Sequence, residues 1–314
     1  MEKSKYILTG RKYYPRNNTS NTKSIGRNGI YLRKLIFPSI TEDKINQLMI
    51  DDESIKYITF ASSAQEITNV IMNNLIDFPS ILPEDEDGQK WNSIPIDKRM
   101  KYLVITEMTA GVGGNVLNFA KYFKYVNAIE IDAIRYKYLE NNIKLYNFDN
   151  VNCYNMDSSK MLLHGDDINQ DIIFFDPPWG GKDYKLYSNL RLNFGNEPIE
   201  NICKSLFQRS RNTWDQSSQY NLPVKGQDST CSKPCLRRDS SAALGGQGYA
   251  GIEASSITCL RRDSPAALGG QGNKMIVMKL PNNYDFNYMF DQLKEYNVNK
   301  YFLDRMTIVV VKNY

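Results

Sequence analysis

The chain has 314 residues, 41% of them hydrophobic and 24% charged, which excludes a disordered or collagen-like protein and leaves one large core or two modest ones. No apolar run approaches the roughly 18–20 residues of a membrane span, no signal peptide opens the chain, and the five cysteines lack the spacing of a disulfide framework. The net charge of +4 is uneven: residues 1–34 carry nine Lys/Arg and one Glu (+8), residues 208–272 carry eight Lys/Arg and five acids (+3), so the remainder carries −7.

In chain order, residues 1–34 read as a basic, flexible arm. Tyr6, Tyr13, Tyr14 and Tyr31 interleave with its bases, a mixture suited to phosphates and stacked bases of RNA, or else simply a solvated tail. Residues 35–100 read as a helical N-terminal extension. Thr41–Met49 carries a capping threonine and first-turn acids. Ser63–Phe78 repeats apolar residues three and four apart and is stopped by Pro79. Pro83–Lys90 is a charged loop. From residue 101 strand and helix patterns alternate: strands at Lys101–Met108, Val126–Asp132, Val151–Asp157 and Asp171–Asp176, helices at Asn115–Phe123 and Ala133–Tyr146. This βαβ series predicts a mostly parallel sheet covered on both faces. Asn273–Pro281 and Met306–Asn313 supply two late strands around a helix at Phe286–Tyr296.

Residues 208–272 break this pattern and interrupt the 101–314 domain. CLRRDSSAALGGQG (Cys235–Gly248) recurs as CLRRDSPAALGGQG (Cys259–Gly272), differing only at Ser241 and Pro265. Two copies are too few for a solenoid, and the Ser/Gly/Gln-rich composition offers little core. The segment is expected to be a mobile surface insertion or a small RNA- or protein-binding element. Its cysteines lack enough partners for structural zinc, so no metal is expected.

Two strand ends carry the chemistry. EMTAGVGGN (Glu107–Asn115) follows the first strong strand, and Gly111, Gly113 and Gly114 let the backbone turn tightly against a ligand. The spacing matches neither a dinucleotide fingerprint nor a P-loop. Glu130, at the next strand end, can accept two ribose hydroxyls. Asp157, at the end of the third strand, can accept from an adenine amine. Asp132 is a candidate helix cap, and either of the other acids alone could also be one. Taken in order, these ends imply S-adenosylmethionine rather than NAD. DIIFFDPPWGGKDY (Asp171–Tyr184) is the reaction end. Pro177 and Pro178 lack N–H donors but keep their carbonyl acceptors, which with Asp176 can take the hydrogens of an exocyclic base amine. Its nitrogen lone pair can then face an electrophilic methyl group, so that alignment and electrostatics supply most of the catalysis. Trp179 offers a stacking face, the alternative being a core aromatic; Lys182 is a candidate phosphate contact.

At these places the chain resembles the RNA cap guanine-N2 methyltransferases of the trimethylguanosine synthase type. TAGVGGNVLNFA (Thr109–Ala120) resembles the cofactor loop, AIEID (Ala128–Asp132) the acidic second-strand end and DPPWGGKDY (Asp176–Tyr184) the catalytic loop. IDDESIKYITFASSAQEI (Ile50–Ile67) and LPNNYDF (Leu280–Phe286) carry a fainter likeness. The resemblance implies a Rossmann-like class I S-adenosylmethionine-dependent methyltransferase with a mostly parallel seven-stranded sheet. It implies methyl transfer to N2 of a 7-methylguanosine cap on RNA. Thr109, Gly111, Gly113, Asn115, Glu130, Asp157 and Asp176 would serve the cofactor, and Asp176, Pro177, Pro178 and Trp179 would be catalytic. Trp179, Tyr184, Lys182 and Tyr57 would meet the substrate. Aspartate stands at position 176 where the family has serine, and DPPW also occurs in adenine-N6 methyltransferases. An adenine or an internal guanine is therefore the alternative target, and a non-catalytic RNA-binding homologue the alternative class. A monomer is expected, in the nucleus or in the cytoplasm, where a viral enzyme would work in a viral factory.

Overall fold

The computed structural model describes residues 6–7, 27–79, 91–160, 168, 170–218 and 274–314, with the backbone alone at 6–7, 27–28, 182 and 209–218. Most of the basic arm, the loop 83–90 and the repeats at 235–248 and 259–272 lie outside the described residues. The strands are β1 (Tyr6–Ile7), β2 (Val104–Glu107), β3 (Tyr125–Ile129), β4 (Val151–Tyr154), β5 (Ile172–Phe175), β6 (Arg191–Phe194), β7 (Glu197–Pro198), β8 (Met275–Pro281), β9 (Asn297–Leu303) and β10 (Met306–Lys312). Seven of them form one sheet in the order β4-β3-β2-β5-β8-β10-β9. It is parallel except for β10, which runs antiparallel to both β8 and β9. This is the Rossmann-like, class I methyltransferase sheet expected from the sequence. β1, β6 and β7 form a small second sheet.

The central strands are apolar because both faces are covered. Successive side chains point to opposite faces, so Ile172, Phe174, Met275, Val277, Ile308 and Val310 join one core. Ile173, Phe175, Ile276, Met278, Val309 and Val311 join the other. The first core is closed by the helix Ala61–Asn73, whose Ile67, Val70 and Ile71 are buried at helical spacing. The second is closed by the helix Ile199–Ser218 through Ile202, Leu206 and Phe207, and by the helix Phe286–Gln292.

The extension packs on the sheet domain as part of its core. Asn118 Nδ2 donates to Ala64 O (3.1 Å) and Thr68 Oγ1 (2.6 Å), both buried. Asn142 exchanges hydrogen bonds with the backbone of Met49 (2.8 and 2.9 Å). These ties bring residues 51–59 over the glycine loop. The helix Arg27–Ile36 spans the boundary expected between residues 34 and 35, because Ile36 and Phe37 are buried in the same core. β9 completes the expected seven-stranded sheet on residues to which the sequence assigned no strand: its half-exposed Asn/Lys-containing run is an edge strand, with the weak apolar signal an edge requires.

Candidate active site

The site forms where β2 and β5 end side by side, at the carboxyl edge of a parallel sheet. After β2 the chain turns through Gly111, with φ of +55°, and Gly113, with φ of +107°, conformations that L side chains rarely adopt. Gly114 is needed for space: a Cβ there would lie 2.8 Å from Ile58 Cγ1 and 2.8 Å from Thr59 O. The glycine loop and the extension are therefore in direct contact. Together with Asp176 they line a cavity open to solvent, with about 40 Å³ of room inside, walled by Ser54, Tyr57, Thr59, Thr109, Gly111 and Asn115 among others.

The roof of this cavity is clipped in place. Asp51 accepts from Ser54 N (2.9 Å) and Ser54 Oγ (2.6 Å) and pairs with Arg135 at 3.5 Å. The Arg135 guanidinium lies 5.4 Å from the centre of the Tyr57 ring. Tyr57, expected as a substrate contact, thus lies on the cavity wall beside Gly111 and Asn115.

Glu130 directly follows β3, whereas β4 stops at Tyr154, so Asp157 lies three residues beyond the strand instead of at its end. Glu130 is buried and braces the loop, accepting from Gly111 N and Asp132 N at 2.8 Å each. Burial raises its carboxyl above the ordinary range, against those two hydrogen bonds. Asp132 is the cap it was read as, accepting from Ile134 N and Arg135 N. Asp157 accepts from Ser159 N (3.0 Å) and Ser159 Oγ (2.6 Å), capping the turn that follows β4. Each carboxylate keeps further lone pairs for a ligand.

At the reaction end, Thr109 joins the two strand ends. Its hydroxyl donates to Glu107 Oε1 (2.7 Å) and accepts from Asp176 N (3.0 Å). Pro177 is buried and Pro178 exposed. Trp179 is half-buried, its Nε1 donating to Lys279 O at 3.3 Å. Its ring meets Tyr184 edge-on, with centroids 5.2 Å apart and planes at 72°. Tyr184 sits in the short helix Gly181–Leu186, and Asn283 fixes its carbonyl at 2.7 Å. Lys182 belongs to that helix, its side chain outside the described atoms. Among the described residues no group of His, Cys, Asp and Glu could hold a metal.

Two charged residues escaped the sequence reading. Glu107 is fully buried, and its Oε2 has no partner among the described residues. Burial pushes its carboxyl up to about 8. Lys279 lies within β8 and is almost wholly buried; its Nζ contacts Asp176 Oδ2 at 2.5 Å and Thr59 Oγ1 at 3.0 Å. Burial raises the Asp176 carboxyl, opposed by Lys279 and by Trp179. The available signal was a charge at the end of, or inside, an otherwise apolar strand, since such charges are buried only with partners.

A family profile described as RNA cap guanine-N2 methyltransferase matches residues 103–215. An uncharacterized protein of Acanthamoeba polyphaga mimivirus is 48% identical over 283 residues, covering 90% of this chain and 86% of its own. The trimethylguanosine synthase of Schizosaccharomyces pombe is 26% identical over 166 residues, covering 47% of this chain and 69% of its own. Among solved structures, a human methyltransferase 10 domain containing protein superposes with a TM-score of 0.42 at 11% identity. It covers 85% of this chain and 88% of that one, a superposition too loose to support an argument.

Proposed function

The chain belongs to the RNA cap guanine-N2 methyltransferase family, whose members are S-adenosylmethionine-dependent, and from that premise we propose that it methylates the exocyclic N2 of a 7-methylguanosine cap on RNA. The observation that carries this reading is a shared boundary. Asp176, the first residue of the acid–proline–proline–tryptophan turn, lines the same cavity as Gly111, Gly114 and Asn115. A methyl donor held by the loop and an amine held by the turn would therefore meet.

The residues present fit such a donor. Asn115 Oδ1 and Glu107 Oε2 are buried acceptors without partners among the described residues, suited to the hydrogens of an ammonium group. Glu130, which braces Gly111, and Asp157 are the acids this reading assigns to the adenosine, although neither lines that cavity. S-adenosylmethionine, when bound, supplies a sulfonium methyl: the amine lone pair forms the N–C bond as the S–C pair returns to sulfur.

The protein's own task is to present the amine. Asp176 and the carbonyls of Pro177 and Pro178 accept its hydrogens, and Asp176 or water takes the surplus proton. Trp179 supports the base by stacking, with Tyr184 holding the indole edge-on and Lys182 near the substrate. A viral origin agrees with the mimivirus relative; a cytoplasmic viral factory or the nucleus is the place of action this reading assigns. Among the described residues no helix is long and apolar enough to cross a membrane.

Incubation with labelled S-adenosylmethionine and a 7-methylguanosine cap analogue is expected to give N2-methylated product by mass spectrometry. Label found instead at adenine N6 of uncapped RNA would replace this reading with the second one. Asp176 favours that second reading, because an acid at this position of the turn also occurs in adenine-N6 methyltransferases.

A further inference from the structure

We propose that Lys279 is a positioning residue of the methyl-transfer site, fixing Asp176 as a hydrogen-bond acceptor for the substrate amine and tying that acid to the roof of the cofactor cavity. The inference rests on the reading that Asp176 faces the amine. Its basis is geometric. β8 lies between β5 and β10, and all seven of its residues are buried. A lysine there needs partners for its ammonium, and Lys279 has three of different kinds. Nζ contacts Asp176 Oδ2 at 2.5 Å and Thr59 Oγ1 at 3.0 Å, and lies over the Trp179 ring, 5.4 Å from its centre. The backbone carbonyl of the same residue accepts from Trp179 Nε1. One residue of a rigid central strand therefore holds the acid, the indole and the extension.

The charges make Asp176 and Lys279 a unit. Without Lys279, Asp176 is left without its ion-pair partner, at a place where burial already favours its neutral form. Protonation would turn an acceptor for the amine into a donor pointed at it. Without Asp176, an unpaired ammonium remains beside the place where a sulfonium and a cationic 7-methylguanine must both be accommodated, and like charges repel in a poorly solvated site. Removing both charges avoids each fault. The double neutral variant is thus expected to be better than the single change at Asp176, a sign that independent residues do not give.

The test compares wild type, Lys279→Met, Asp176→Ser and the double variant. It uses kcat and KM for the cap analogue, donor affinity by calorimetry and thermal melting. Lys279→Met is expected to lower kcat about 100-fold while cap KM stays within about threefold. Asp176→Ser is expected to weaken donor binding about tenfold through the unpaired ammonium. The double variant is expected to recover that affinity and to exceed Asp176→Ser in kcat by about tenfold. A double variant whose losses are the product of the two single losses would overturn the proposal. So would a Lys279→Met protein that melts early yet keeps its kcat. If Lys279→Met does not fold, Asp176→Ser against the double variant still decides. If wild type makes no cap product, the cap reading fails by itself, and coupling between the two residues is still read from donor affinity and melting.

Discussion

Glu107 shows how burial alone gives one residue a pH-dependent energetic role. Its carboxyl is pushed up to about 8 from an ordinary 4.5 by burial, with the Thr109 hydrogen bonds pulling the other way and the Asp176 charge adding to the rise. Between those two values the folded protein holds a proton that the unfolded chain has released. Raising the pH through that window therefore favours unfolding. Donor-free stability is expected to fall from pH 5 to pH 8, and Glu107→Gln to flatten the slope by up to about 1.4 kcal/mol per pH unit. Denaturant melts across that range measure it, and an unchanged slope would remove Glu107 from the account. Asp171 and Glu200 are also raised by burial, so a residual slope of the same sign is expected. Trp179 is tested separately. Trp179→Ala should raise KM for the cap analogue by about ten- to a hundredfold, the value of a base stack, with donor affinity held within about threefold. Equal loss of both would mean that the indole is a packing residue.

At the scale of the element, the glycine loop and the extension act as two halves of one clamp. The contact at Gly114 involves backbone oxygen of Thr59 as well as Ile58 Cγ1, so a methyl group cannot be accommodated by a rotamer change. Gly114→Ala is expected to lift residues 58–59, costing about 1–3 kcal/mol of stability and weakening donor binding. Gly111→Ala is the contrasting case. Its Cβ would meet nothing within 4 Å, but φ is +55°, so only the left-handed strain of about 1–2 kcal/mol applies. Melting and calorimetry on both variants distinguish crowding from strain. The elements that were readable beforehand carry their own punctuation. The helix Ala133–Tyr146 is capped by Asp132 and ends at Asn147 in the left-handed conformation, and its limits matched the sequence. The helix expected at Ser63–Phe78 runs from Ala61 to Asn73 instead, because the apolar periodicity continues into a turn that Pro79 alone does not locate. β6 and β7 are short and gave no pattern to read.

For the whole molecule, the cores on either side of the sheet are built, among the described residues, from segments before residue 208 and after residue 273, and Phe207 and Met275 are fully buried. Replacing residues 209–272 with a Gly/Ser linker of about ten residues should leave donor binding intact, since loop-closure cost changes slowly with length. The melting temperature is expected to shift by less than about 4 °C. Loss of cooperative melting would show that the repeats contribute to a core.

The sequence by itself determined the alternating βαβ order, the glycine turn and the acid–proline–proline–tryptophan turn, because each is written in neighbouring residues whose backbone preferences act locally. It also placed Glu130 and Asp132 between the second strand of the series and its helix, while Asp157, expected at a strand end, lies three residues past β4. Only the tertiary structure decided which charges meet. Lys279 and Asp176 are 103 positions apart, and Lys279 and Thr59 are 220 apart. Their contact follows from β8 lying beside β5 in the sheet and from the extension packing across it. Strand order and docking are set by the burial of apolar faces distant in sequence, which no local pattern of residues records.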